Sequence, residues 1–446
     1  MSKEVNFGRI ARRYDVNISA LRVFNNQIGR LAEEHDKSIT EQHNNAFAEL
    51  VGIPAKDLEI LKGLSNDDFQ LALSSQTEMS ETEKQEAEEK LHLTDEQKIV
   101  IQKFTQIDHK AFLLKSRNFL RASSKILPIQ AFILRRSALI TLASHFEYLI
   151  AELLHSFYLL YPQALPSEER VLSLADLRAM GSVEDAENHL IEREIDSLLR
   201  DSIEKQLEYF SSKRIKVNLE YLDNYKNRLV EIFQRRNIIV HNDGVVNKIY
   251  LSRVSKDILE QGAENGKRLD VTEEYLNKAI EATYISGVIL TQLCWRKWQK
   301  ETIEAAENVY INLLYESLQE QQYEFISQLK DFSQKLEYTS DRKKRVMIVN
   351  HAIALREQKQ LESMNNLINT LDWSSCALEF RVALCALRGD KDGLINLLPK
   401  AIAAKEIHKQ YLEEWPLFEP YRDSEDFINM IESSTNDSIL SDENVG

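Results

Sequence analysis

Apolar positions recur along this chain at three- and four-residue spacing over long stretches, the period of an amphipathic helix rather than of a strand. The longest run begins at Pro128. Phe132, Leu139, Leu142, Phe146, Leu149, Leu153, Phe157 and Leu160 follow one another, and the run stops at Pro162. A stripe of that length predicts the spine of a helical bundle, and Pro128 suits a first helical turn. Leu219, Leu222, Tyr225, Leu229, Ile232 and Phe233 predict a helix over 217–240. Ile101, Phe104, Ile107, Phe112 and Leu120 predict helix over 97–125, and a further helix covers 271–300 and ends in Trp295 and Trp298. Residues 162–184 read as a loop with short helical pieces, and 185–210 return to helix.

Toward the N-terminus, Leu21, Phe24, Ile28 and Leu31 form one helical stripe. Phe47, Leu50, Val51 and Ile53 form a second, which stops at Pro54. The phrase from Ile10 to Leu21 has the cadence of a helix-turn-helix and echoes the helix of LysM repeats. No flanking strands or companion motif accompany it, and plain helical packing is the favoured reading. Residues 74–96 are acidic and nearly free of apolar side chains, so they form either a linker or an exposed charged helix. Beyond residue 304 the rhythm is of antiparallel helix pairs, 342–357 with 359–370 and 374–388 with 391–404. This cadence is tetratricopeptide-like without a fixed period. The segment from Trp415 to Phe427 is expected to cap the array, and residues 432–446 to be disordered.

The pattern therefore predicts an all-α protein in four parts. A small N-terminal helical region covers 1–73 and the acidic stretch 74–96. A central antiparallel bundle covers 97–303, and a helical-hairpin region covers 304–446. Composition agrees, since 446 residues carry only 12 Gly and 7 Pro, too few for a chain of tight turns. A net charge of −15 argues against a broad nucleic-acid coat and against anionic membrane surfaces, while leaving room for a local basic site. Cys294, Cys376 and Cys385 lie outside any metal spacing and read as reduced thiols. The N-terminus has no apolar core of a signal peptide, and no uncharged run of eighteen apolar residues is found. A cytoplasmic location is the expectation.

An arginine five or six residues ahead of a histidine occurs at Arg30–His35, Arg345–His351 and Arg235 or Arg236–His241. The first has Glu33 and Glu34 in the gap, which would neutralise a phosphate site. The second precedes a continuing helix and reads as packing. The third is different. Asn237 follows Arg236, Ile238, Ile239 and Val240 anchor the gap, and Asn242-Asp243-Gly244 make a turn that exposes His241.

The phrase Arg235-Arg236-Asn237-Ile238-Ile239-Val240-His241-Asn242-Asp243-Gly244 resembles the active-site motif of HEPN-domain ribonucleases, and the resemblance extends over roughly 97–303. It implies catalytic roles for Arg236, Asn237 and His241. It also implies a homodimer with both motifs facing one cleft, an RNA substrate, and a toxin or abortive-infection role. The terminal regions would hold an antitoxin or sense a trigger. No cofactor and no metal are implied. The residue types suit such work: His exchanges protons near neutral pH and Arg presents a fork to phosphate oxygens. Arg235 is either a second phosphate contact or a solvent-facing neighbour. Glu147 either braces the cleft or is solvated, with His145 the other notable polar residue of its helix. Asp243 either orients His241 or makes the turn. Tyr284, Trp295 and Trp298 are read as core or interface.

On a straight helix, residues five apart lie about 140° apart around the axis. Arg236 and His241 can therefore share a site only if the helix loosens near His241 or if two copies meet. No Gly-rich phosphate loop, HExxH, EF-hand loop or nucleophile elbow is present. A non-catalytic nucleotide- or protein-binding module of the same fold, or an unrelated helical adaptor, remains the alternative function.

Overall fold

The computed structural model describes residues 5–61, 64, 68–69, 71–74, 91–106, 129–165, 172–425 and 427–429. Among these residues no strand occurs, and one isolated antiparallel bridge joins Val245 to Arg268. The helices are, in chain order, α1 (Phe7–Val23), α2 (Arg30–Val51), α3 (Ala55–Ile60), α4 (Asp95–Thr105), α5 (Gln130–Leu160), α6 (Leu174–Met180), α7 (Val183–Leu199), α8 (Ile203–Ser211), α9 (Asp223–Asn242), α10 (Lys248–Arg253), α11 (Glu273–Trp298), α12 (Ile303–Gln319), α13 (Tyr323–Gln328), α14 (Lys330–Lys335), α15 (Asp341–Glu357), α16 (Leu361–Ile368), α17 (Leu378–Arg388), α18 (Lys391–Ala403) and α19 (Lys409–Glu414). The all-α expectation holds. The helical positions expected at 107–125, most of the acidic stretch 74–96 and the tail 432–446 lie outside the described residues.

The chain divides into two compact units, and the division departs from the four consecutive segments suggested by sequence. One unit comprises 1–20, 140–269 and 277–446; the other comprises 21–139 and 270–276. The reason for the N-terminal assignment is aromatic packing. Phe7 stacks on Trp295 at 5.8 Å and meets Trp298 at 6.0 Å. Tyr14 approaches Tyr284 at 6.2 Å and donates to the Thr283 carbonyl at 2.7 Å. That approach needs Gly287, where a Cβ would come within 2.2 Å of the Tyr14 ring. Residues 10–21 are thus helix with no turn inside them, and Phe7 and Tyr14 are the side chains that pack on α11.

The core of this larger unit is lined by α5. Leu142, Phe146, Leu149 and Leu153 are buried, and Phe146 meets Phe233 of α9 edge-on at 6.2 Å. By length and composition α5 is the one described helix apolar enough to cross a bilayer, but half of its apolar window is buried inside the protein. The helical pairs α15–α16 and α17–α18 pack as hairpins. Arg356 donates to the carbonyls of Pro416 and Leu417 at 3.1 and 3.0 Å, which seats the buried Leu417 and Phe418 on the array.

The smaller unit is built mainly on α2, α3 and α4. Thr94 and Gln97 form a reciprocal capping box at the start of α4. Lys103 of α4 reaches Asp57 of α3 at 2.7 Å, and Phe69 packs edge-on against Phe104 at 5.3 Å.

Candidate active site

Helix α9 is buried from Leu229 to Arg235 and again at Ile238 and Ile239, so its last two turns present alternate residues to the core and to the surface. The helix stays regular through Asn242. It then ends at Asp243 in the left-handed region, φ 51°. The amides of Asp243 and Gly244 both bond the Ile238 carbonyl, the latter at 2.9 Å, so a wide turn closes the helix immediately after Asn242. Because the helix does not loosen, Arg236 and His241 lie on different faces of α9 within one chain, whereas Asn237 and His241 are one turn apart on the same face.

Arg236 is half-buried. Its Nη2 donates to Glu147 Oε1 of α5 at 2.5 Å, with side-chain exposures of 21% and 23% for the pair. Its Nη1 donates to Asn237 Oδ1 at 3.2 Å, and its guanidinium lies 5.6 Å from the Phe233 ring centroid. Arg236 Nε is buried with no hydrogen-bond partner among the described residues, an unmet donor that costs stability and is closed to a substrate. Burial pushes the Glu147 carboxyl above its ordinary range, and the charge and hydrogen bond of Arg236 pull it back in part. Burial lowers the pKa of nearby His145. His241 is exposed.

Glu147 therefore braces Arg236 instead of standing in solvent. Asp243 makes the turn and is held there by Arg268, whose Nε donates to the Asp243 carbonyl at 3.0 Å and whose Nη2 pairs with its carboxylate. Arg235 fits neither role suggested for it. It is 1% exposed, donates from Nε to Glu231 at 2.8 Å and from Nη2 to Glu260 at 2.7 Å, and has no face open to a substrate. Tyr250 donates to the same Glu231 at 2.8 Å. A buried arginine must have its charge compensated, and here that requirement clasps residues 244–269 onto α9. Around this network Ile238, Val246, Tyr250, Val254, Ala263 and Leu269 form one apolar cluster. Nothing in the spacing of Glu231, Tyr250 and Glu260 revealed this clasp beforehand, because its partners lie up to 29 residues apart.

The other two arginine–histidine pairs differ from it and from each other: Arg30 and His35 are both exposed, whereas the pair in α15 is packed into the fold. Arg30 lies 3.6 Å from Glu273. Arg345 bonds Asp341 at 2.5 Å and stacks over Trp373 at 4.8 Å, while His351 is buried against Ser333 at 2.7 Å. Among the described residues no group of three or more His, Cys, Asp or Glu side chains is placed to hold a metal ion.

Comparison with family models, with curated proteins and with solved structures finds no match to this chain.

Proposed function

We propose that the protein is a metal-independent endoribonuclease of HEPN type, acting in the cytoplasm as a toxin or abortive-infection effector. The observation that carries this reading is the end of α9. There Arg236 is oriented by Glu147 and Asn237 and keeps 21% of its side chain exposed, while His241 stands exposed one turn beyond Asn237. His241 would take the 2′-hydroxyl proton, and Arg236 would stabilise the charge that develops on phosphorus-bound oxygens. The 2′-oxygen bonds phosphorus as the P–O5′ bond breaks, and the departing 5′-oxygen takes up a proton, giving a 2′,3′-cyclic phosphate and a 5′-hydroxyl. DNA, which has no 2′-hydroxyl, is spared. Arg236 and His241 diverge on one regular helix, so the complete site is a twofold arrangement in which each copy supplies what the other lacks. In this reading α5, α7, α9 and α11 form the HEPN-like bundle, and the hairpins α15 to α18 are a tetratricopeptide-like arm that engages an antitoxin or trigger.

A second reading draws on the same ion pair. A carboxylate already occupies the Arg236 fork, which also suits a binding module or adaptor that performs no chemistry. Incubation of total and transfer RNA with wild type, Arg236→Ala and His241→Ala in the presence of EDTA separates the two. Cleavage by wild type alone, with all three proteins folded and dimeric, supports the ribonuclease. RNA left intact by every protein, including any activated by candidate triggers, favours the binding module.

A further inference from the structure

A cavity of about 540 Å³ opens between α1, α5 and α7, lined among others by Arg9, Arg13, Tyr148, Glu152, Glu192 and Asp196. Tyr148 follows Glu147, the partner of Arg236, and is 46% exposed. It is nevertheless held in place. Arg13 Nη1 donates to Tyr148 Oη and to Glu152 Oε1, both at 2.6 Å, and the guanidinium lies 5.7 Å from the ring centroid. An exposed aromatic ring fixed by an arginine is a stacking platform prepared before any ligand arrives. Arg9, Arg12 and Arg13 also concentrate positive charge on one helix of a chain whose net charge is −15.

We propose that this cavity binds one unpaired nucleotide of an RNA strand, its base stacked on Tyr148 and its phosphate held by Arg9 and Arg13. The inference rests on the ribonuclease reading for its choice of ligand; Tyr148 lies about 100° around α5 from Glu147, on the face toward α1 and α7. The opposite wall sets the orientation. Glu192 and Asp196, exposed one turn apart on α7, repel phosphate but accept hydrogen bonds from the N–H groups of a base edge. Phosphate therefore lies on the α1 side and the base edge toward α7. A base inside a duplex presents neither a free face nor that edge, so the site selects single-stranded or looped RNA.

Fluorescence anisotropy with a labelled 2′-O-methyl RNA decamer tests binding apart from cleavage, since the methylated strand has no attacking hydroxyl. Wild type, Tyr148→Ala and Tyr148→Phe are compared, each checked for folding by circular dichroism. Tyr148→Ala is expected to weaken single-strand binding at least tenfold. Tyr148→Phe keeps the ring and is expected to stay within about threefold of wild type. The same decamer annealed to its complement is expected to bind wild type more weakly than the single strand. Equal affinity of Tyr148→Ala and wild type, a preference for duplex, or no binding by wild type overturns the assignment. The unmodified RNA reads the ribonuclease separately. A strand bound through Tyr148 and never cut leaves the nucleotide site standing and removes the nuclease. Cleavage combined with unchanged Tyr148→Ala affinity does the reverse.

Discussion

Three helices of this protein place an arginine five or six residues before a histidine, and the pairs in α15 and α9 meet opposite environments. In α15, His351 is buried against Ser333, whose hydroxyl also meets Tyr310 at 2.7 Å. Burial lowers the His351 pKa to about 3, so the imidazole stays neutral at ordinary pH. Arg345 is spent on Asp341, Trp373 and the Asp372 carbonyl. In α9, Arg236 is half-buried against Glu147 and His241 is exposed at the helix end. Spacing is common to both regions. Solvation separates the two: the histidine of α15 is sealed in the core and that of α9 meets water.

The sharpest way to break this comparison is to exchange the two histidines for alanine. His241→Ala is expected to lower RNA cleavage by at least about 100-fold, the usual scale for loss of a general acid or base, with thermal stability unchanged. His351→Ala is expected to lower stability and leave the rate per folded molecule near wild type. Cleavage kinetics and thermal melts of the same preparations read both. Equal loss of activity in the two variants would end the distinction.

The adjacent arginines supply the next largest contrast. Arg235→Met leaves Glu231 buried without its charged partner, the Tyr250 hydroxyl still donating to it, and is expected to cost roughly 3–5 kcal/mol, the scale for breaking a buried ion pair. Arg236→Ala is expected to cost about 1 kcal/mol or less, because its pair with Glu147 is partly solvated. Urea unfolding distinguishes them, and equal costs would mean that Arg236, too, serves the fold.

His351 predicts a pH dependence of stability. Its folded pKa lies below the unfolded value near 6.5, so the unfolded chain binds the proton more readily. The contribution is complete above about pH 6.5 and is lost as pH falls toward 3. Between pH 6.5 and 5 the expected loss is about 2 kcal/mol, measured by urea titration at each pH and absent from His351→Gln. A flat wild-type profile over that range would contradict the buried neutral imidazole.

The smallest effect concerns the turn after His241. Asp243→Ala places a Cβ-bearing residue without a local hydrogen-bonding side chain at φ 51° and is expected to cost about 1 kcal/mol. Asp243→Gly is expected to stay within about 0.5 kcal/mol of wild type, because glycine adopts that conformation freely. Calorimetric melts of the two variants test whether Asp243 matters as a turn residue or through its pairing with Arg268.

Much of the local structure was legible beforehand. The stripe from Phe132 to Leu160 anticipated α5, which begins at Gln130 and ends at Leu160. The Asn242-Asp243-Gly244 turn and the buried Tyr284, Trp295 and Trp298 appear where they were expected. The roles of Arg235 and Glu147 were not legible, because each depends on a residue distant in sequence. Arg235 needs Glu260, and Glu147 meets Arg236 across 89 residues. Tyr148 gave no signal of its own, since only the approach of Arg13 from α1 turns an exposed tyrosine into a fixed platform.

Sequence alone determined the helical class, most helix limits and the short list of candidate residues, because helix period, caps and breakers act over a few neighbouring positions. Tertiary structure decided which arginine is buried and which stays partly exposed, and which histidine is sealed in the core and which meets water. It also assigned the first helix to the larger unit. Those outcomes depend on desolvation and on partners that the chain reaches only by folding, and no local spacing encodes either.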